Sequence, residues 1–177
     1  MDYRLPGLLL TGASGFEGRN FINAAAENFR LFCVARHSAA EVGLEANSNL
    51  RWAQVDIADW DNLKDLIGQT KDFGGVDYIV PLDGYYDYTN TEHPNYARTN
   101  VEGTKNLLEL ARHLEIKRFI FASSQASCSF NTIVSEESPP DADMPYARSK
   151  RAGEEMVREH SRWFPCAIIR IAAVFSD

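Results

Sequence analysis

The chain has 177 residues, 45% of them hydrophobic and 24% charged, which suffices for one globular domain with a buried core. Its formal net charge of −7 disfavours nucleic-acid partners, which need clustered Lys and Arg, and no apolar run approaches the length of a membrane span or a signal peptide. Three scattered cysteines without a CxxC spacing predict neither a disulfide framework nor a metal site. Together with the lack of an export signal, they indicate a cytoplasmic protein.

Short apolar runs alternate with longer helical patterns. In chain order we predict strand 8–11, helix 15–28, strand 31–35, strand 52–55, helix 60–67 capped by Asp59, strand 78–80, helix 95–114, strand 118–122, helix 145–161 and strand 167–173. The strands are nearly continuous in apolar residues, as strands buried on both faces are. This order predicts an α/β fold with a doubly wound parallel sheet, and a ligand at the carboxyl ends of the strands.

A glycine-rich turn joins the first strand to the first helix, with glycines at positions 12, 15 and 18. Such a turn lets the backbone approach a pyrophosphate, and the following helix offers unpaired N–H groups and its positive dipole end. A glycine-rich loop without a ligand is the alternative. Glu17 is unfavourable beside a pyrophosphate unless it points away or is paired. The candidate cofactor contacts in this turn are Gly12, Ser14, Gly15, Phe16, Glu17 and Gly18.

The second predicted strand is followed directly by Arg36. Domains that bind NAD usually place an acid here, bonded to the ribose 2′-hydroxyl, whereas a guanidinium suits the 2′-phosphate of NADP. The sequence therefore favours NADP(H), with NAD(H) as the other choice. A solvated Arg at a strand end is the alternative explanation.

A Tyr-x-x-x-Lys motif, Tyr146 and Lys150, lies in the last predicted helix. With Pro145 at the helix start, the two side chains are one turn apart on one face. A nearby ammonium is expected to lower the phenol pKa from about 10 toward neutrality, helped by the positive charge of an oxidised nicotinamide, which would make Tyr146 an acid/base. Lys150 is also expected to hold the nicotinamide ribose.

Two further polar residues complete the candidate catalytic group. Ser124 ends the fifth predicted strand, where its hydroxyl can bond the substrate oxygen; an ordinary serine-rich strand end is the alternative. Asn100 lies inside a predicted helix, where Asn is mildly unfavourable. We interpret it as an anchor for a water or a backbone carbonyl near the site. A merely packed Asn is equally consistent with the sequence.

These features together resemble the extended short-chain dehydrogenases/reductases, the NAD(P)-dependent epimerase/dehydratase family. The matching segments, in family order, are the glycine turn, Asp56-Ile57, residues 99–104, Ser123-Ser124, Tyr146/Lys150 and residues 170–175. The resemblance implies a three-layer Rossmann fold over residues 1–177, hydride transfer to or from a small molecule such as a sugar nucleotide, and catalysis by Ser124, Tyr146, Lys150 and Asn100. It further implies cofactor contacts from Asp56, Ile57, Leu82, Asp83, Gly84 and Ala172.

The chain also departs from the family pattern after the fourth strand, where Asp83 puts an acid near the expected path of the pyrophosphate or ribose. A non-catalytic dinucleotide sensor or interaction protein on the same fold is the alternative function, although the Tyr/Lys pair argues against it. Family members commonly dimerise through the helices at 95–114 and 145–161, which implies a homodimer. They also continue into a substrate lobe, so we expect this chain to be the cofactor half, truncated before that lobe.

Overall fold

A computed structural model describes residues 5–44, 48–129, 133–172 and 174. Its strands are β1 (Gly7–Thr11), β2 (Arg30–Ala35), β3 (Leu50–Gln54), β4 (Tyr78–Pro81), β5 (Arg118–Ser124) and β6 (Cys166–Ile171). They form one parallel sheet in the order β3-β2-β1-β4-β5-β6. The predicted doubly wound sheet is confirmed, and every predicted strand is present. The last one was expected to reach residue 173, which lies outside the described residues.

The helices are α1 (Phe16–Ala25), α2 (Trp60–Leu63), α3 (Leu66–Asp72), α4 (Gly103–Arg112) and α5 (Pro145–His160), with a π-helical segment, Tyr96–Glu102, leading into α4. A short 3₁₀ turn, Gln125–Ser127, follows β5. Asp59 caps α2 as predicted, since its side chain accepts from the Asn62 N–H. None of the described helices is both long and apolar enough to span a membrane.

Two helix predictions were wrong in detail. The single helix expected at 60–67 is split into α2 and α3, because the Ile67 N–H bonds to the carbonyl of Lys64, only three residues back, and tightens the turn there. The helix expected at 95–114 starts as a π-helix. Where this segment meets α4, the Thr104 hydroxyl donates to the Asn100 carbonyl (2.7 Å) and so competes with the regular backbone ladder.

The sheet separates two apolar cores because successive strand residues point to opposite faces. Leu8 and Leu10 of β1 pack with Ile22 of α1, while Leu9 belongs to the core covered by the remaining helices. Of the helices that the structure describes, α1 alone covers its face. The rest of that face, over β4, β5 and β6, is an open apolar groove of about 350 Å³ whose lining includes Phe21 and Ile169.

Candidate active site at the carboxyl edge of the sheet

The glycine turn has the geometry of a phosphate cradle. Gly12 has φ +68°, and a Cβ added there would lie 2.6 Å from the backbone N of Asp83. A Cβ at Gly18 would lie 2.4 Å from the Gly12 carbonyl oxygen, so neither position has room for a side chain. Gly15 is the N-cap of α1 and offers no side-chain cap, which leaves the first-turn N–H groups of the helix to a ligand. This backbone fits the pyrophosphate of a dinucleotide.

Asp83 lies directly against this turn. Its carboxylate accepts a hydrogen bond from the Thr11 hydroxyl at the end of β1. Burial raises the pKa of Asp83 to about 6, while the Thr11 hydrogen bond and the charges of Lys150 and Arg36 act in the opposite direction. The acid that the sequence singled out therefore sits inside the cleft, with a pKa close to neutral pH.

The side chains of Tyr146, Lys150 and Ser124 come together at the same edge. Tyr146 is half-buried and hydrogen-bonds to the Ser124 side chain. The Lys150 Nζ lies 5.7 Å from the centroid of the Tyr146 ring and donates to the Ala122 carbonyl at 2.9 Å. The i, i+4 spacing on α5 thus brings the phenol and the ammonium to the end of β5, as the motif predicts.

The pKa values of this pair differ from the sequence expectation. Burial raises the pKa of Tyr146, and the hydrogen bond with Ser124 only partly offsets this. Burial also lowers the pKa of Lys150 to about 8, against the opposing charges of Glu17 and Asp83. Glu17 acts on Lys150 and on Tyr146, so its charge bears on the site. Burial thus acts against the lowering of the Tyr146 pKa that was expected from Lys150 with an oxidised nicotinamide, and that lowering stays a prediction.

Asn100 holds the loop after β4 against α5. Its side-chain oxygen accepts from the Tyr85 N–H (2.7 Å), and its amide donates to the Tyr85 carbonyl (3.0 Å) and to the Ser149 hydroxyl (2.8 Å). Ser149 in turn donates to the carbonyl of Tyr146. These contacts match the backbone-anchor interpretation of Asn100. Ser149 was missed at the sequence level, because nothing in its surroundings distinguishes it from any other helical serine.

Tyrosines form an aromatic wall beside the candidate acid/base. The Tyr86 ring packs edge-on against Tyr146 at a centroid distance of 4.9 Å, and Tyr88 packs on Tyr86 at the same distance. Tyr86 is 48% exposed and Tyr88 88% exposed. Tyr85 contributes instead to an inner contact with Tyr96. The exposed part of this wall is available to a substrate next to Tyr146.

A network of ion pairs around the buried Glu154 contacts the end of β5. The carboxylate of Glu154, on α5, accepts hydrogen bonds from Ser123 (2.7 Å), from Arg158 (2.7 Å) and twice from Arg170 of β6 (2.9 and 2.8 Å). Burial alone would raise its pKa, but the hydrogen bonds from Arg170, Ser123 and Arg158 lower it to about 2. Ser123 precedes Ser124, so the network fixes the strand that carries the candidate catalytic hydroxyl. Sequence reasoning missed this network. The i, i+4 spacing of Glu154 and Arg158 is a local signal, but the contacts of Glu154 with Ser123 and Arg170 have none.

With this geometry in place, comparison with known proteins identifies the family. A profile of the NAD dependent epimerase/dehydratase family matches residues 8–177. The chain belongs to this family.

Relatives within and around the family support the assignment. A putative UDP-glucose 4-epimerase of Methanocaldococcus jannaschii is 27% identical over 96% of this chain and 56% of its own length. The uronate dehydrogenase of Agrobacterium tumefaciens superposes with a TM-score of 0.79 at 26% identity, over 96% of this chain and 61% of that one. A short-chain dehydrogenase/reductase superfamily protein of the same organism, with bound NAD, superposes with a TM-score of 0.73 at 25% identity, over 93% of this chain and 48% of that one. The chain spans about half the length of such relatives.

The family pattern also predicted contacts to the adenosine half of the cofactor. Arg36 is exposed at the end of β2, whereas the Asp56 carboxylate already accepts from the Ala58 N–H and from Arg98, each at 2.9 Å. The Ile57 side chain is 4% exposed and packed in the core, so it is not available to a ligand, and a contact from this residue would need its backbone. The other expected contacts lie at the same edge: Ser14 and Phe16 in the glycine turn, Leu82 and Gly84 after β4, and exposed Ala172 after β6.

Proposed function

We propose that this chain carries the cofactor cleft and proton-transfer group of an NAD(P)-dependent epimerase/dehydratase or oxidoreductase. Its substrate would be a small molecule, with a sugar nucleotide as the leading candidate because relatives include a putative UDP-glucose 4-epimerase. The observation that carries the proposal is the convergence of Ser124, Tyr146 and Lys150 beside the glycine turn. A sensor without catalysis is not favoured, since a sensor has no need of this group.

In the proposed reaction each side chain has a separate task. A bound nicotinamide dinucleotide supplies the hydride donor or acceptor. Tyr146 exchanges the proton of the substrate hydroxyl, and Ser124 orients the oxygen of that hydroxyl by a hydrogen bond. Lys150 is held by the Ala122 carbonyl beneath the Tyr146 ring and stabilises the phenolate form. Asn100 keeps the loop after β4 in place and acts as a positioning residue.

Binding of the dinucleotide is proposed to involve the backbone of the glycine turn. Gly12, Gly15 and Gly18 would hold the pyrophosphate at the N-terminus of α1. For the adenosine ribose, exposed Arg36 supports a preference for NADP(H) over NAD(H). The two carboxylates near the turn, Glu17 and Asp83, oppose the pyrophosphate charge, so cofactor affinity is expected to rise as Asp83 becomes protonated.

A phenolate titration tests the proposal without a substrate. Binding of NAD⁺ or NADP⁺ places a positive nicotinamide near Tyr146, so the phenol pKa is expected to fall and a phenolate absorbance to develop at lower pH. Tyr146→Phe should bind cofactor and lose this signal, whereas Tyr88→Phe, at an exposed position, should keep it. A wild-type chain that binds neither dinucleotide, or a Tyr146→Phe variant that keeps the signal, would contradict the proposal.

We also propose that residues 1–177 form the dinucleotide-binding domain of the protein and that two copies associate through the π-segment, α4 and α5. Light scattering coupled to size-exclusion chromatography measures this directly, with a mass of about twice 19.9 kDa expected. A monomer at micromolar concentration would argue against the dimer and leave the cofactor proposal intact.

A further inference from the structure

In the segment that follows β2 and begins with Arg36, the carboxylate of Glu41 is held by hydrogen bonds from Ser38. The Ser38 N–H and the Ser38 hydroxyl both donate to Oε2 of Glu41, at 2.7 and 2.6 Å. The Nδ1 of His37 lies 3.9 Å from Oε1 of the same carboxylate. Hydrogen bonds from Ser38 lower the pKa of Glu41, so the carboxylate is ionised at neutral pH.

The backbone under this contact is fixed by side chains of β3. The Gln54 amide donates to the Arg36 carbonyl, and the Trp52 indole N–H donates to the His37 carbonyl, both at 2.9 Å. The segment that follows β2 is therefore tied to the neighbouring strand. Through Ser38, the carboxylate of Glu41 is bound to this tied segment two residues after Arg36.

Arg36 and Glu41 have opposite effects on a phosphate at this place. The guanidinium of Arg36 attracts it, whereas Glu41 repels it and occupies the two Ser38 donors that a phosphate oxygen would use. The 2′-hydroxyl of NAD carries no net charge, so the charges of Arg36 and Glu41 act on it much more weakly than on a 2′-phosphate. The pair therefore acts on the choice between the two cofactors more than on dinucleotide affinity as such.

We propose that Glu41 is a specificity-determining residue that competes with the 2′-phosphate of NADP and so offsets the preference conferred by Arg36. This inference rests on the proposed function, because it presupposes that a dinucleotide binds at the glycine turn. It assigns Glu41 no part in binding NAD.

Calorimetric titration of the chain with NAD⁺ and with NADP⁺ tests the inference. Glu41→Gln is expected to tighten NADP⁺ binding about five-fold to ten-fold and to change the Kd for NAD⁺ less than two-fold. Glu41→Ala, which lacks the amide, should shift the ratio in the same direction. Glu27→Gln removes an equal charge from an exposed position beyond α1 and should leave the ratio unchanged.

Salt dependence separates a charge effect from a local rearrangement. The gain of Glu41→Gln for NADP⁺ should shrink as ionic strength rises from about 0.05 to 0.5 M, because exposed charges are screened. Equal changes for both cofactors, or no change in either Glu41 variant, would overturn the inference while NAD⁺ binding still supports the proposed function. If neither dinucleotide binds the wild-type chain, both proposals fail.

Discussion

Glu154 offers the sharpest test of how the site is supported. Its side chain is fully buried, while Arg170 is 12% exposed and Arg158 50% exposed. Glu154→Gln keeps the volume but removes the charge and turns amide hydrogens toward two guanidinium groups. Because Arg170 is then left nearly buried without its anion, we expect a loss of about 3 to 5 kcal/mol in the free energy of unfolding.

Arg158→Gln is the matched control, since it removes the half-exposed partner of the same carboxylate. Its loss should stay below about 1 kcal/mol, because solvent screens the exposed charge. Urea unfolding followed by circular dichroism at pH 7 measures both variants. A Glu154→Gln loss below about 1 kcal/mol, or one no larger than that of Arg158→Gln, would refute the reasoning.

The pH dependence adds a second measurement on the same residue. The pKa of Glu154 is lowered in the folded state to about 2, so its contribution is present above the ordinary carboxyl pKa and is lost as pH falls toward 2. The difference in unfolding free energy between wild type and Glu154→Gln should therefore narrow between about pH 4.5 and pH 2. A difference that stays constant over this range would show that Glu154 is not the ionised centre of the network.

Three other variants are expected to behave as follows. Gly12→Ala should destabilise the chain and abolish dinucleotide binding, while Gly43→Ala, at the same φ of +68° but with open space around it, should cost only about 1 to 2 kcal/mol in unfolding experiments. Above pH 6, Asp83→Asn should have a larger free energy of unfolding than wild type. Burial raises the pKa of the Asp83 carboxyl in the folded state, so its stabilising protonated form is lost as pH rises through about 6. Equal free energies of unfolding at pH 8 would contradict this. Asn100→Ala should speed hydrogen exchange at the Tyr85 amide, as measured by mass spectrometry, and unchanged exchange would argue against the anchor.

Much of the fold follows from local sequence patterns. Continuous apolar runs separated by helical periods are sufficient to predict a doubly wound parallel sheet, and parallel strands bring their carboxyl ends to one edge. The meeting of the glycine turn, Ser124 and the Tyr146/Lys150 pair at that edge follows from the same topology. The break between α2 and α3 and the π-helical segment before α4 were less predictable. Both involve single hydrogen bonds that hydrophobic periodicity does not indicate.

The sequence by itself determined which groups reach the site, since strand order and helical spacing are encoded locally. Only the tertiary structure decided how those groups are charged and paired. Thr11 and Asp83 are 72 residues apart in the chain yet hydrogen-bonded, and burial raises the pKa of Tyr146. Ile57 likewise matched a binding motif but packs in the core. Desolvation and long-range pairing depend on the assembled surroundings of a side chain, which no local pattern contains.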